Sequence, residues 1–348
     1  MIYFDVTKSG ATEPHSGLTR VSSRLREEMG SAVIPVTWDA HRRLWRSTAS
    51  RQPVALDGAD WLLTAELFSD PERPGLGQFI LRPPCRLAAV FHDAIPLKLP
   101  HITWPQSVQR HPEYMKLLAQ FDRIWAVSAA SAEDLRGFWR WQGVTPRGEL
   151  EEIGLGADFD GEPRRTSSLR SLPPSLLCVG IIEPRKNQSF LLDVAEALWR
   201  EGLAFDLHVA GRVNPHFGKP IEARMRTLAK RQSGFYYHSA IKDAALRRLY
   251  AAAWATVFPT IAEGCGLPLL ESLWSGVPCV GSDLPVLREN AEEGGCLLAA
   301  VNDETDWKDK LRRILADEAE QTRLRREATS RPLPTWSVAA RTLLGSLR

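Results

Sequence analysis

Twice along the chain, short apolar runs of strand length alternate with amphipathic stretches of helical length. In the first half "MIYFDV", "SAVIPVTW", "DWLLTAEL", "RLAAVFHD" and "RIWAVS" read as buried strands, separated by helical stretches such as "GLTRVSSRLREEM" and "SAEDLRGFWRW". The second half repeats the rhythm, with "SLLCVGII", "FDLHVAG", "GFYYHSA", "ATVFPT", "PCVGSD" and "GCLLAA" as strands. Between them lie the helical stretches "SFLLDVAEALWREG", "DAALRRLYAAA" and "TDWKDKLRRILAD". Strands that read as continuous apolar runs, each followed by a helix, predict parallel sheets covered on both faces. Two rounds of the pattern predict an α/β chain of two doubly wound, Rossmann-like domains. The seam is expected in "GADFDGEPRRTSSLRSLPPS", Gly156 to Ser175, which is rich in Gly, Pro, Ser and Arg and lacks apolar periodicity.

Composition narrows the function classes. A chain of 348 residues exceeds one typical core, and a net charge of +2 does not indicate bulk nucleic-acid binding. Cys85, Cys178, Cys265, Cys279 and Cys296 are odd in number and free of any C-x-x-C pair, which argues against a disulfide frame or a zinc knuckle. No run reaches the length of a membrane span, and Met1 opens directly into a strand-like run, so the expected location is cytoplasmic.

In open parallel sheets ligands bind beyond the carboxyl ends of strands, and two such domains make the cleft between them the natural site. After "SLLCVGII" comes "EPRKN", with Arg185 and Lys186 in the turn before a helix. After "RLAAVF" comes "HDAIP", with His92 and Asp93 at a strand end. After "ATVFPT" comes "IAEGCGLPLLES", where Glu263 stands at a Gly-rich turn and Glu271 sits on an otherwise apolar helix. Gly264 and Gly266 admit a close backbone approach, and Pro268 suits the first helical turn, whose free N–H groups favour an anion. A buried carboxylate needs a partner, so Glu271 pairs with ligand hydroxyls or, alternatively, bridges within the core. Gly17, after the first strand, is a weaker phosphate-binding candidate that could equally only start a helix.

The stretches "GIIEPRKN" and "EGCGLPLLES", the latter followed by "SGVPCVGSDLPVLRE", resemble the retaining glycosyltransferases of family 4, in which two carboxylates flank seven residues. "VFHDAIPLKLP" and "DRIWAVSAASAEDL" resemble the acceptor-side domain of the same family. One departure is Cys265, where that family usually carries an aromatic residue.

The resemblance implies the GT-B fold, two Rossmann-like domains facing a central cleft. The boundaries expected are 1–160 for an acceptor-side domain, 161–175 for a linker, 176–332 for a nucleotide-sugar domain and 333–348 for a helix returning to the first domain. It implies that Arg185 and Lys186 hold the donor diphosphate, that Glu271 binds ribose hydroxyls, and that Glu263 binds hydroxyls of the transferred sugar. The backbone of Gly264, Cys265, Gly266 and Leu267 would lie near sugar and phosphate, Ile241 near the base, and His92 would approach the sugar from the other domain. No cofactor is implied beyond the donor, GDP-mannose or a UDP-sugar, and no metal. Asp158-Phe159-Asp160 spells a D-x-D pattern, but it falls in the expected linker and arises easily by chance.

The activity so implied is transfer of a sugar, with its anomeric configuration kept, to a glycan or polyprenyl-linked acceptor in cell-surface polysaccharide biosynthesis. A hydrolase using the two carboxylates would have no need of a cationic phosphate cradle. A sugar-nucleotide epimerase and a non-catalytic GT-B subunit remain alternatives. For the acceptor, Trp38, Trp45, Trp61, Trp104, Trp139 and Trp141 offer rings for sugars or an interface. "RRLWRSTASR" offers charge for peripheral contact with anionic lipid at the inner membrane face.

Overall fold

The computed structural model describes residues 1–10, 17–158, 163–164 and 173–348. The chain forms two compact units, Met1–Gly156 together with Pro334–Arg348, and Ala157–Leu333. Most of the expected linker 161–175, and Phe159 and Asp160 of the D-x-D pattern, lie outside the described residues.

The described residues of the first unit form seven strands: β1 (Ile2–Asp5), β2 (Ile34–Asp39), β3 (Leu44–Ser47), β4 (Trp61–Thr64), β5 (Arg86–Phe91), β6 (Arg123–Ala126) and β7 (Glu149–Glu152). Their order across the sheet is β3-β2-β1-β4-β5-β6-β7. The central strands β4 and β5 are buried nearly throughout, as their unbroken apolar runs require. Leu87, Phe91, Met115, Leu118 and Ile124 belong to the core beside them. The helix Trp336–Ser346 packs on the helix Gly17–Met29. That arrangement depends on Gly156, where a Cβ would come within 2.3 Å of the Trp336 backbone nitrogen.

The sheet departs from the expected all-parallel pattern at one edge, where β3 runs antiparallel to β2. This edge strand takes in part of "RRLWRSTASR", the stretch expected to offer charge for contact with anionic lipid. Trp45 turns inward against Trp38, with ring centroids 5.3 Å apart, and Arg46 pairs with Asp39 at 2.7 Å. Only Arg42, Arg43 and Arg51 keep the exposed basic character. At the other edge β7, "ELEE", carries no apolar signal; it is fastened to β6 by Arg123–Glu149 at 3.2 Å and by the Trp125 indole donating to Glu151 at 2.9 Å. Of the tryptophans, Trp38, Trp45, Trp61 and Trp139 are core residues, whereas Trp104 and Trp141 are exposed.

The described residues of the second unit form six strands: β8 (Ser175–Val179), β9 (Asp206–Ala210), β10 (Phe235–His238), β11 (Ala255–Phe258), β12 (Cys279–Ser282) and β13 (Cys296–Ala299). All neighbours are parallel, in the order β10-β9-β8-β11-β12-β13, which is the doubly wound order of dinucleotide-binding folds. Leu176, Leu207, Val257, Val280 and Trp307 are among its core residues. Strand order reverses between β8 and β11, and the segments that follow these two strands carry the sequence-selected residues. Among the described residues no helix is long and apolar enough to cross a membrane.

Candidate active site

Beyond β8 the chain makes a short 3-10 turn at Pro184–Lys186, then reverses through Asn187, in the left-handed region at φ 57°, into the helix Gln188–Arg200. This projects Arg185 and Lys186 ahead of the helix. Beyond β11, Thr260 and Ile261 run alongside the same turn: the Ile261 N–H donates to the Arg185 carbonyl at 2.9 Å. Gly266 begins the helix Leu267–Trp274 at φ 77°, and a Cβ there would lie 2.6 Å from the Leu287 side chain, so only glycine suits the turn. Asn290 secures it by donating to the Cys265 carbonyl at 2.6 Å.

Adjacency of β8 and β11 gathers the charges. One oxygen of Glu263 accepts from Lys186 Nζ at 2.6 Å, Arg185 Nη1 at 3.0 Å and Thr260 Oγ1 at 2.7 Å. Burial alone would raise the Glu263 carboxyl pKa, but Lys186 and then Arg185 reverse this and hold it below the usual glutamate value. Burial pulls the Lys186 ammonium below the usual lysine value, and the Glu263 charge offsets this only in part. The ammonium also lies 4.8 Å from the centroid of the Phe258 ring. Both cations expected to face phosphate are thus paired with Glu263.

Glu271 lies on the buried face of its helix, where the Tyr250 hydroxyl donates to its Oε2 across 3.4 Å. Cys265 stands between the acids: burial, then the charges of Glu263, Glu289 and Glu271, push its thiol up to about 12. Gly264 and Leu267 are buried in the same turn, and Ile241 is half-buried against the cluster that contains Leu177, Ala210 and Tyr250.

In the first unit, His92 follows β5 and is buried, its Nε2 2.8 Å from the Ala65 carbonyl oxygen; burial pushes its pKa below the usual imidazole value. His92 is a neutral imidazole whose Nε2–H is committed to that carbonyl. Gly17 is the exposed first residue of its helix, and a Cβ there would meet nothing within 4 Å, so packing does not require glycine.

Sequence reasoning missed a buried network where β1 and β4 meet, the point at which strand order reverses in this sheet. Arg73 donates to Asp5 Oδ2 at 2.5 Å and to Glu66, and Glu66 accepts the backbone N–H groups of Lys8 and Ser9 at 2.8 and 2.7 Å. It also missed Thr260, Tyr250 and the pair Glu183–Asn214. The signal available was position: Asp5 ends β1, and Glu183 lies just beyond β8.

Residues 162–331 match the family model described as "Glycosyl transferases group 1". The chain is 32% identical over 220 residues to the serotype-specific mannosyltransferase WbdA of Escherichia coli, a match covering 59% of this chain and 27% of that protein. It is 29% identical over 139 residues to the O-antigen chain mannosyltransferase RfbU of Salmonella typhimurium, covering 40% of this chain and 37% of that one. The chain therefore spans well under half of the length of these curated relatives. Among solved structures, sucrose-phosphate synthase from Thermosynechococcus elongatus superposes with a TM-score of 0.71 at 17% identity, covering 99% of this chain and 97% of that one. WaaG, a glycosyltransferase involved in lipopolysaccharide biosynthesis, superposes with a TM-score of 0.66 at 15% identity, covering 100% and 99%. The chain has the two-domain GT-B fold of these solved structures, and its residues 162–331 match the model of the group 1 glycosyltransferases.

Proposed function

We propose that this protein transfers a hexose from a nucleotide-diphosphate sugar to a glycan or polyprenyl-linked acceptor during cell-surface polysaccharide synthesis. The observation that carries this reading is the convergence of Arg185, Lys186 and Glu263 beyond β8 and β11, at the reversal of strand order, beside a Gly-rich turn that opens a helix. The names of the relatives favour mannose as the sugar and GDP-mannose as the donor.

In this reading Glu263 turns to hydroxyls of the transferred sugar, and the donor diphosphate takes its place against Arg185 and Lys186. Glu271, oriented by Tyr250, accepts from ribose hydroxyls. Fixed cations and the N–H groups at the Leu267 helix start stabilise the charge that grows on the leaving diphosphate, so that no metal is needed. The bond from the anomeric carbon to the diphosphate oxygen breaks while the acceptor oxygen bonds to the same face. The acceptor proton passes to the departing oxygen, and the sugar keeps its configuration. His92, buried in the first unit with its Nε2–H committed to the Ala65 carbonyl, forms no covalent adduct with the sugar. Exposed Arg42, Arg43 and Arg51 give the protein a means of meeting an anionic membrane that carries a lipid-linked acceptor.

The test is incubation with GDP-mannose and a panel of UDP-sugars, read by release of nucleotide diphosphate with and without a polyprenyl-linked oligosaccharide. Acceptor-dependent release from one donor is expected. Conversion of the donor into its epimer without release, or release from none, overturns the reading.

A further inference from the structure

Arg185 is gripped from two sides. Its Nη1 donates to Glu263 Oε1 at 3.0 Å and to the Ala262 carbonyl at 2.9 Å. Its opposite edge belongs to Glu183, whose Oε1 accepts from Nε at 3.0 Å and lies 2.8 Å from Nη2. The other Glu183 oxygen accepts from Asn214 Nδ2 at 2.8 Å.

The sequence builds this arrangement locally. Pro184 excludes the helical region for the residue before it, and Glu183 is accordingly extended, at φ −160° and ψ 158°. The loop after β9 is pressed onto this segment. A Cβ on Gly211 would lie 1.8 Å from the Gly180 carbonyl oxygen, and one on Gly218 would lie 2.3 Å from that of Ile182. Asn214 is fixed within the loop, its N–H donating to the Ile182 carbonyl at 3.0 Å and its Oδ1 accepting from the His216 N–H at 2.9 Å. Glu183 therefore meets Arg185 from a braced position, with its side chain only 14% exposed.

We infer that Glu183, braced by Asn214, is a positioning residue for Arg185 in the donor site. The inference rests on the donor-site reading above and deepens it. Two cations and two carboxylates share the site. If Glu263 turns to sugar hydroxyls when the donor enters, Glu183 is the partner that stays. It keeps the guanidinium from becoming a lone half-buried charge and leaves the Nη1 edge facing the diphosphate. A guanidinium already held in place loses less freedom on binding, and its stabilisation of the leaving group needs no reorganisation.

The experiment is calorimetric titration of the full chain with inorganic pyrophosphate and with GDP, alongside circular-dichroism melts. Arg185→Ala is expected to weaken pyrophosphate about tenfold, the loss of one charge-assisted hydrogen-bonding group. Glu183→Ala is expected to weaken it several-fold, with Asn214→Ala changing it in the same direction by less. In the Arg185→Ala background, Glu183→Ala should have no further effect, because Glu183 acts through Arg185. Glu183→Gln sets two amide groups against each other; pairing it with Asn214→Asp restores the match and returns the charge, and should recover affinity. Additive losses in the double variant, or no recovery in the exchanged pair, overturn the inference while leaving the donor site standing. Tighter pyrophosphate binding by Glu183→Ala also overturns it, making Glu183 a competitor of the ligand. Unchanged pyrophosphate affinity in Arg185→Ala overturns the donor-site reading itself, and the inference with it.

Discussion

Lys186 Nζ and Glu263 Oε1 lie 2.6 Å apart across 77 residues of sequence, with both side chains almost closed to water. The pair exists because β8 and β11 are neighbours, and it sets a buried cation against a carboxylate beyond the ends of these strands.

Removing either cation therefore tests the chemistry directly. Arg185→Ala and Lys186→Ala are each expected to lower turnover about 100-fold or more, exceeding the loss in sugar affinity, because their contribution grows as the leaving group gains charge. EDTA should leave the parent enzyme active. Loss of activity in EDTA with recovery on adding a divalent ion would assign the neutralising role to a metal.

Glu271→Ala is expected to cost about 1–3 kcal/mol of nucleotide affinity, since ribose hydroxyls would enter a buried pocket without an acceptor. Tyr250→Phe, which removes a hydroxyl 3.4 Å from that carboxylate, should cost less. Titration with GDP and UDP decides it; undiminished binding by a folded Glu271→Ala variant rejects the ribose role.

The stereochemical outcome is a third prediction. An α-linked donor should yield an α-linked product with no accumulating glycosyl-enzyme adduct, read by NMR of the product and by intact mass. A β-linked product would refute retention, whereas an adduct would refute only attack from the same face.

Arg73 holds Asp5 and Glu66 together inside the first unit. Arg73→Met leaves two buried carboxylates without their cation and should destabilise that unit by about 3–5 kcal/mol in urea unfolding at neutral pH. Burial, then the Asp5 charge, raises the Glu66 pKa above its ordinary value. A raised folded-state value means that stability is greatest below the unfolded pKa and is lost as pH rises through the folded one. The variant should thus recover part of its loss between neutral pH and about pH 5. A deficit independent of pH would mean that lost packing outweighs charge.

In the second unit His208 Nδ1 and His238 Nε2 are 2.9 Å apart, in rings 6° from parallel, so that one nitrogen donates to the other. Burial, with the His238 charge adding, pushes the His208 pKa down to about 4. A lowered histidine value means that stability present above pH 6.5 is lost as pH falls toward 4, because the unfolded chain binds the proton first. The melting temperature should drop through this window, and by less in His208→Gln. NMR titration of His208 at the ordinary imidazole value would rule this out.

By itself, the sequence determined the two doubly wound sheets, the positions of Arg185, Lys186, Glu263 and Glu271 beyond their strands, and the glycine at 266. These follow from local causes: strand and helix periodicity, turn chemistry, and the rule that side chains after parallel strands face one end of a sheet. The tertiary structure alone decided what those side chains touch. Glu263 reached the cations because strand order set β8 beside β11, a relation between segments that no local pattern encodes. Tyr250 met Glu271 because two helices cover one sheet, and Asn214 met Glu183 because two glycines let a loop lie on the β8 extension. The edge strands tell the same story. "LWRS" and "ELEE" have weak patterns of their own and became strands through their neighbours, since pairing on one edge and a few cross-strand contacts suffice where periodicity is silent.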